Sequence, residues 1–252
     1  MTIANTYRFF VDPELLSTDT VRISDNDLIH QLGRVLRLGA GDRILLLDGR
    51  GIACTVEIEQ IGRQDMQGRV LERRQAGGEP PFPIALYLAL LRPERFEWAI
   101  QKAVELGATA IVPVQCERSL NADRADAKKL QRWRRIMREA AEQSCRGRLP
   151  ELHAPIDFAS ACEHAQQAAL PLLLWEGQAV PLATVLRDPG RAPPETCAVI
   201  SGPEGGISPP ELTAAEARGI IPVSLGSRIL RAETAPLAAF AALLYEFEQR
   251  RS

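Results

Sequence analysis

Residues 75–83 read QAGGEPPFP, and neither a helix nor a central strand runs through two adjacent glycines followed by three prolines. The hydrophobic pattern differs on the two sides of this stretch. The chain is therefore read as two parts, 1–74 and 84–252, with 75–83 as the linker.

The first part reads as mostly β. Ile44 to Leu47 is an apolar run that ends in Asp48-Gly49, a hairpin signal. Ile52, Cys54, Val56 and Ile58 then alternate with Ala53, Thr55, Glu57 and Glu59, which predicts a strand with one wet face. Val70-Leu71 suggests a further strand. Asp25 or Asn26 can cap a short helix through Leu32, followed by the basic stretch Arg34-Val35-Leu36-Arg37. Short strands with closely spaced turn signals predict a small barrel.

The second part alternates between strand and helix patterns. IALYLALL from Ile84 is the continuous apolar run of a strand buried on both faces. Pro93 can start a helix whose apolar side is Phe96, Ile100, Ala103 and Val104, ending at Gly107. TAIVPV is the next strand. A long helix is predicted from about Asp126 to Cys145, with Leu130, Trp133, Ile136, Met137, Ala140, Ala141 and Ser144 on its apolar stripe. Strands follow at Leu170–Trp175, Cys197–Ser201 and Ile221–Leu225, and a last helix follows Thr234. This order predicts an α/β fold with a parallel sheet.

Net charge is −2, which argues against a simple polycation, but the charge is unevenly spread. Residues 117–148 hold ten Arg or Lys against five Asp or Glu, a local basic footprint. Lys128, Arg132, Arg135 and Arg138 lie off the helix stripe, either as an RNA-facing surface or simply as a solvated face. Only three of the 30 basic residues are lysine; arginine suits bidentate phosphate contacts, and a GC-rich genome gives the same bias. The five cysteines and three histidines are not spaced as metal ligands, so reduced thiols and no metal are expected. No uncharged apolar run reaches membrane-spanning length and no secretory start is visible, so a cytoplasmic protein without membrane contact is expected.

Three predicted strand ends carry unusual loops: Leu174-Trp175-Glu176-Gly177, Ser201 to Gly206, and Leu225 to Thr234. In open α/β sheets, ligands bind at such ends. Glycines 202, 205 and 206 either let main chain approach a ligand or serve a tight turn alone. The segment Ser208-Pro209-Pro210-Glu211 after them is a capping box. Neither a dinucleotide fingerprint nor a Walker loop is present, which disfavours a nucleotide triphosphatase. Arg231 and Glu233 are close enough in sequence to form a structural ion pair.

GPEGGIS at 202–208 and SLGSRILRAETA at 224–235 resemble the signature of the ribosomal RNA small subunit methyltransferase E family, SPOUT-class enzymes that methylate N3 of a specific uridine in 16S rRNA. The resemblance extends to Lys102 through Gly107, to Glu117-Arg118-Ser119, and from Trp133 through Ala140-Ala141-Glu142-Gln143-Ser144 to Arg146 and Pro150. Arg8-Phe9-Phe10 and the stretch His30-Gln31-Leu32 with Val35-Leu36-Arg37 resemble the family's PUA-like RNA-binding domain. Ser227 stands where the family has a basic residue or proline, and Ala232 where it has threonine.

The resemblance implies a PUA-like β-barrel over 1–74 and a SPOUT methyltransferase domain with a C-terminal trefoil knot over 84–252. It implies S-adenosylmethionine bound against Leu174, Trp175, Glu176, Gly202, Gly205, Gly206, Leu225 and Gly226, with Ile229 and Leu230 on the purine. It also implies a homodimer, with the small residues Ala235, Ala238, Ala239 and Ala242 suited to close helix packing, and 16S rRNA of the small subunit as substrate. Arg231 is then the candidate for stabilising charge on the uracil oxygens and Glu204 for removing the proton. Arg8, Arg34, Arg37, Arg132, Arg135 and Arg138 are the candidates for phosphate contacts. Two alternatives remain: a SPOUT methyltransferase acting on another RNA, and a non-catalytic RNA-binding ribosome assembly factor.

Overall fold

The protein is described from a computed structural model over residues 7–119, 126–188, 190 and 192–248. It divides into two compact units: residues 1–79 with 141–149, and residues 80–140 with 150–252.

The first unit is built on five strands: β1 (Arg8–Phe10), β2 (Thr20–Ile23), β3 (Arg43–Leu47), β4 (Ile52–Ile61) and β5 (Met66–Gln75). Their order is β1-β3-β4-β5-β2, and among the described residues the two outer strands do not pair with each other. The Asp48-Gly49 signal makes the expected antiparallel β3–β4 hairpin, with the Asp48 carboxylate accepting the N–H groups of Arg50, Gly51 and Ile52 at 2.7–2.9 Å. The period-two reading of β4 holds for Cys54, Val56 and Ile58, which are buried, but Ala53 on the other face is buried as well. Strand β5 continues through Gln75, into the stretch read as linker.

Asp25 caps helix α1 (Asn26–His30), and the chain then runs through a single π-helical turn over Gln31–Val35. Arg37 follows with φ of +57°, a left-handed conformation rare outside glycine. Arg34 and Arg37 are thus exposed on irregular backbone, the kind of local geometry associated with functional sites.

Residues 141–149, within the segment read as the second domain, belong to this first unit. Glu142 accepts the Phe10 N–H at 2.9 Å, Leu149 N–H donates to Gly49 O at 3.1 Å, and Glu79 holds Arg146, Gly147 and Arg148.

The second unit is an all-parallel sheet with β6 (Ile84–Ala89) near its centre. Helix α2 (Pro93–Glu105) leads to β7 (Ala110–Gln115), and helix α3 (Ala127–Gln143) to the short strands β8 (Glu151–Leu152) and β9 (Ile156–Asp157). Then come α4 (Phe158–Ala165), β10 (Leu170–Leu174), β11 (Val180–Pro181), α5 (Leu182–Leu186), β12 (Cys197–Ser201), α6 (Pro209–Glu216), β13 (Ile221–Ser224) and α7 (Ala235–Glu248). The order is β11-β13-β10-β12-β6-β7-β8, with β9 beside β7.

Helices cover both faces, which explains the unbroken apolar run of β6: Ile84, Leu86 and Leu88 are buried on one side, Tyr87 and Ala89 on the other. Helix α2 buries the expected Phe96, Ile100, Ala103 and Val104 and stops before Gly107, whose φ of +97° ends the helix. On α3, Trp133 packs against Phe96 with ring centroids 4.4 Å apart.

Candidate active site

Strands β13, β10 and β12 are neighbours, so the three loops singled out in the sequence leave one edge of the sheet side by side. They enclose a cavity of about 470 Å³. Leu174, Trp175, Glu176, Gly202, Gly205, Gly206, Leu225, Gly226, Ile229 and Leu230 all line it, together with Glu204 and Arg231. Ser201, Pro203, Ser227, Arg228 and Ala232 from the same loops line it too, and Arg95, Val223, Ser224 and Ala235 lie outside the three loops. Val223, Ser224 and Ala235 flank those loops in sequence. Arg95 comes from the first turn of α2, off that helix's apolar stripe.

The glycine loop turns at Pro203–Gly206, with the Gly206 N–H donating to Pro203 O at 2.9 Å. Gly206 has φ of +75°, and a Cβ there would collide with Glu176 Oε1. This glycine is needed both for conformation and for space. A Cβ at Gly205 would instead meet the Arg118 side chain at 3.0 Å and its carbonyl at 3.1 Å.

The Glu117-Arg118-Ser119 triplet braces this loop. Arg118 Nη1 donates to Gly205 O at 3.2 Å. Ser208, the expected N-cap of α6, forms the capping box with Glu211 and donates from Oγ to Glu117 Oε2 at 2.6 Å. The Glu117 N–H donates to Glu211 Oε1 at 2.8 Å, so the buried Glu211 ties β7's end to the helix start. Burial, and then the Glu211 charge, push the Cys116 thiol far up.

A chain of four charged side chains runs along one side of the cavity, with Arg95, Glu204 and Arg231 lining it and Glu233 behind them. Arg231 Nη1 lies 3.9 Å from Glu233 Oε1, the structural pair that their spacing in sequence allows. Arg95 Nε lies 3.8 Å from the same Glu233 oxygen, and its Nη1 lies 3.5 Å from Glu204 Oε1. The Arg92 N–H, at the start of α2, reaches Glu204 Oε1 at 3.5 Å. Glu204 Oε2 and Glu233 Oε2 are buried without a hydrogen-bond partner among the described residues.

The arginines expected on RNA fall into two groups. Arg8, half-buried, and Arg34 and Arg37, exposed, make no side-chain hydrogen bond or ion pair among the described residues. Arg132 is held by Glu97 through two bonds of 2.6 and 2.8 Å, and Arg135 lies 3.4 Å from Glu139. Arg138 is exposed on the same helix. Among the described residues no group of three or more His, Cys, Asp or Glu is arranged to hold a metal, and no helix is long and apolar enough to cross a membrane.

Residues 78–244 match the family model of an RNA methyltransferase domain, and residues 23–71 match that of an RNA methyltransferase PUA domain. A relative from Synechocystis, named ribosomal RNA small subunit methyltransferase E, is 39% identical over 93% of this chain and 76% of its own length. The chain belongs to the ribosomal RNA small subunit methyltransferase E family. The Bacillus subtilis member is 28% identical over 97% of this chain and 98% of its own. The crystal structure of the Neisseria gonorrhoeae family member, bound to S-adenosyl methionine, superposes with a TM-score of 0.84 at 32% identity, covering 95% of this chain and 97% of that one. A methyltransferase from Legionella pneumophila in complex with the same cofactor gives 0.85 at 30% identity, covering 95% and 97%. The family's methyltransferase match spans every residue of the cavity; its PUA match includes Arg34 and Arg37 but not Arg8.

Proposed function

We propose that this chain is an S-adenosylmethionine-dependent methyltransferase of the small-subunit ribosomal RNA, and that it methylates N3 of a specific uridine in 16S rRNA. The observation that carries the reading is the convergence of the three loops on one cavity. Its volume is in the range of small-molecule sites, roughly 300–1,000 Å³.

The residues present fit S-adenosylmethionine. Glycine main chain supplies close, polar approach where a Cβ at Gly206 would collide, and the Glu176 carboxylate beside it can accept N–H or O–H donors. Ile229 is 83% exposed, an apolar side chain that an adenine face would cover. The bound cofactor supplies an electrophilic methyl group on its sulfonium. The chain's own work is positioning and charge control. The Glu204 carboxylate accepts the proton from uracil N3, and Arg231 stabilises the negative charge left on a uracil oxygen. Arg8, Arg34, Arg37, Arg132, Arg135 and Arg138 hold phosphates.

The family resemblance supports a trefoil knot around the loops and a homodimer in the cytoplasm, acting in ribosome biogenesis. Helix α7 suits the homodimer: Phe240, Leu243 and Phe247 are buried, while Leu237 and Leu244 are half-buried and Tyr245 is 65% exposed.

The test is methyl transfer from labelled cofactor to assembled small subunits, naked 16S rRNA and tRNA in parallel, followed by nucleoside analysis. Label in 3-methyluridine of 16S rRNA is the expected result. Label in tRNA, on another atom, or absent despite cofactor binding overturns the reading.

A further inference from the structure

Arg95 is two-thirds buried between two carboxylates, yet it donates a hydrogen bond to neither. Its contacts with Glu204 and Glu233, at 3.5 and 3.8 Å, are longer than the usual range for N–H donors to oxygen. Among the described residues its side chain donates no hydrogen bond at all. A guanidinium carries five N–H groups, and those of Arg95 are left to solvent or to a ligand that enters the cavity. Arg95 lines the cavity, as does Arg231, whose side chain is 74% exposed and likewise makes only a loose contact. The two guanidinium groups lean on one oxygen, Glu233 Oε1, which lies behind the cavity wall. One buried carboxylate thus holds two cations with their donors free.

We propose that Arg95 is a second oxyanion donor, paired with Arg231 through Glu233, and that the two together recognise the ionised imide of the target base. This rests on the reading of uracil N3 as the methylated atom. When N3 gives up its proton to Glu204, the electron pair of the N–H bond stays on the ring and spreads over N3 and the two flanking carbonyl oxygens. An imide anion therefore presents negative charge on both sides of the nucleophilic nitrogen. A single arginine can meet one side; two held by a shared carboxylate can meet both. Cytosine and the purines lack this symmetric pair of oxygens, so the same arrangement selects uracil.

The charged groups that face the cavity are Arg95, Glu176, Glu204, Arg228 and Arg231, with Glu233 behind them. Removing Arg95 takes one of three cations from a cavity that Glu204 and Glu176 also face. An opposite charge within about 4–6 Å moves an acid's pKa by about one to three units, so losing the cation makes the imide harder to ionise.

The experiment uses the full chain and a 16S fragment whose target uridine is replaced by 5-fluorouridine, an imide that ionises at lower pH than uridine. Affinity is measured against pH, without methyl transfer, for the parent, Arg95→Ala, Arg95→Gln and Arg34→Ala. The parent and Arg34→Ala should bind more tightly as the imide ionises; both Arg95 variants should lose that rise. With the natural fragment, single-turnover methylation by Arg95→Ala should fall about 10²- to 10³-fold, with its rising pH limb moved to higher pH. Melting curves run beside each assay. A flat pH response in the parent, an unchanged rise in the variants, a rate loss with an unmoved pH profile, or unfolding of both variants overturns the assignment. Nucleoside analysis of the parent's product is separate: a product other than 3-methyluridine fails the uracil reading itself, whereas 3-methyluridine with unaffected Arg95 variants fails only the role given to Arg95.

Discussion

The Glu79 carboxylate lies 2.7 Å from Nη2 of Arg146, an arginine whose residue surface is only 1% exposed. The other Glu79 oxygen accepts the N–H groups of Gly147 and Arg148, both at 3.0 Å. One side chain from the Gly- and Pro-rich stretch therefore fixes three consecutive residues of the 141–149 segment. Replacing it leaves a buried cation short of a carboxylate and two N–H groups without an acceptor. Breaking a buried pair costs about 3–5 kcal/mol, and the partial exposure of Glu79 argues for the lower end. Glu79→Ala should lower the urea midpoint accordingly, by about 3 kcal/mol of stability. A loss under about 1 kcal/mol would show that the brace contributes little.

That pair also marks where the sequence stopped being legible. Local signals were readable because they act locally: the Asp48 turn, the Asp25 cap, the Ser208–Glu211 capping box and the apolar run of β6 each stand where their residues predicted. The three loops were readable too, since a parallel sheet sends all its strand ends to one edge. What was hidden lies in long-range contacts. Nothing in QAGGEPPFP shows that Glu79 meets residues 67–69 positions later. Nothing in the α2 pattern shows that Arg95 meets Glu204 and Glu233, because an arginine in a first helical turn looks like any solvated charge. The glycine with the strict requirement is Gly206 rather than Gly205, since a positive φ is a property of the folded turn and not of the composition of GPEGG.

Gly206 and Gly205 should therefore respond differently. Gly206→Ala forces a side chain into a left-handed conformation and against Glu176, so both stability and cofactor affinity should fall, the first by about 1 kcal/mol. Gly205→Ala meets Arg118 at a distance a small shift can relieve, and should keep the fold while weakening the Arg118 brace. Calorimetric cofactor binding together with melting curves distinguishes the two. Equal losses at both positions would contradict this account of the loop.

The thiols should divide sharply. Cys54, Cys116, Cys162 and Cys197 are buried, and burial raises each of them, Cys162 to about 11 and Cys197 to about 12. Cys145 is exposed. A native chain should thus react with about one equivalent of a thiolate-selective reagent quickly, at Cys145, and with the other four only on unfolding. The same shifts fix the sign of an alkaline effect. The unfolded chain ionises its thiols near the free value of about 8.5 while the folded chain keeps them protonated, so this contribution is intact below that pH and is lost as pH rises above it. Peptide mapping after brief alkylation, and urea midpoints between neutral and alkaline pH, check both statements. Rapid labelling of Cys197 in the folded state would be inconsistent with its burial.

The last prediction separates phosphate grip from chemistry and ranks the arginines within the grip. Arg37 is exposed and makes no side-chain hydrogen bond or ion pair among the described residues, so its whole charge is available to an RNA phosphate. Arg132 carries the same charge but is held in a bidentate pair by Glu97, and a phosphate must compete with that carboxylate. Removing one arginine from a phosphate flattens the dependence of log affinity on log salt by roughly 0.7 to 0.9 units. Arg37→Ala should thus show close to the full change in slope, and Arg132→Ala distinctly less. Arg231 stands apart, because it lines the cavity, 3.9 Å from Glu233, and meets negative charge on the base only as the base ionises. Arg231→Ala should leave the salt slope nearly unchanged and cut the single-turnover rate about 10²- to 10³-fold. The measurements are RNA affinity at several salt concentrations and single-turnover transfer at saturating enzyme, for the three variants side by side. If Arg231→Ala keeps its rate and loses affinity with the same salt slope change as Arg37→Ala, then Arg231 is a phosphate clamp, and the charge on the uracil must be met by other donors.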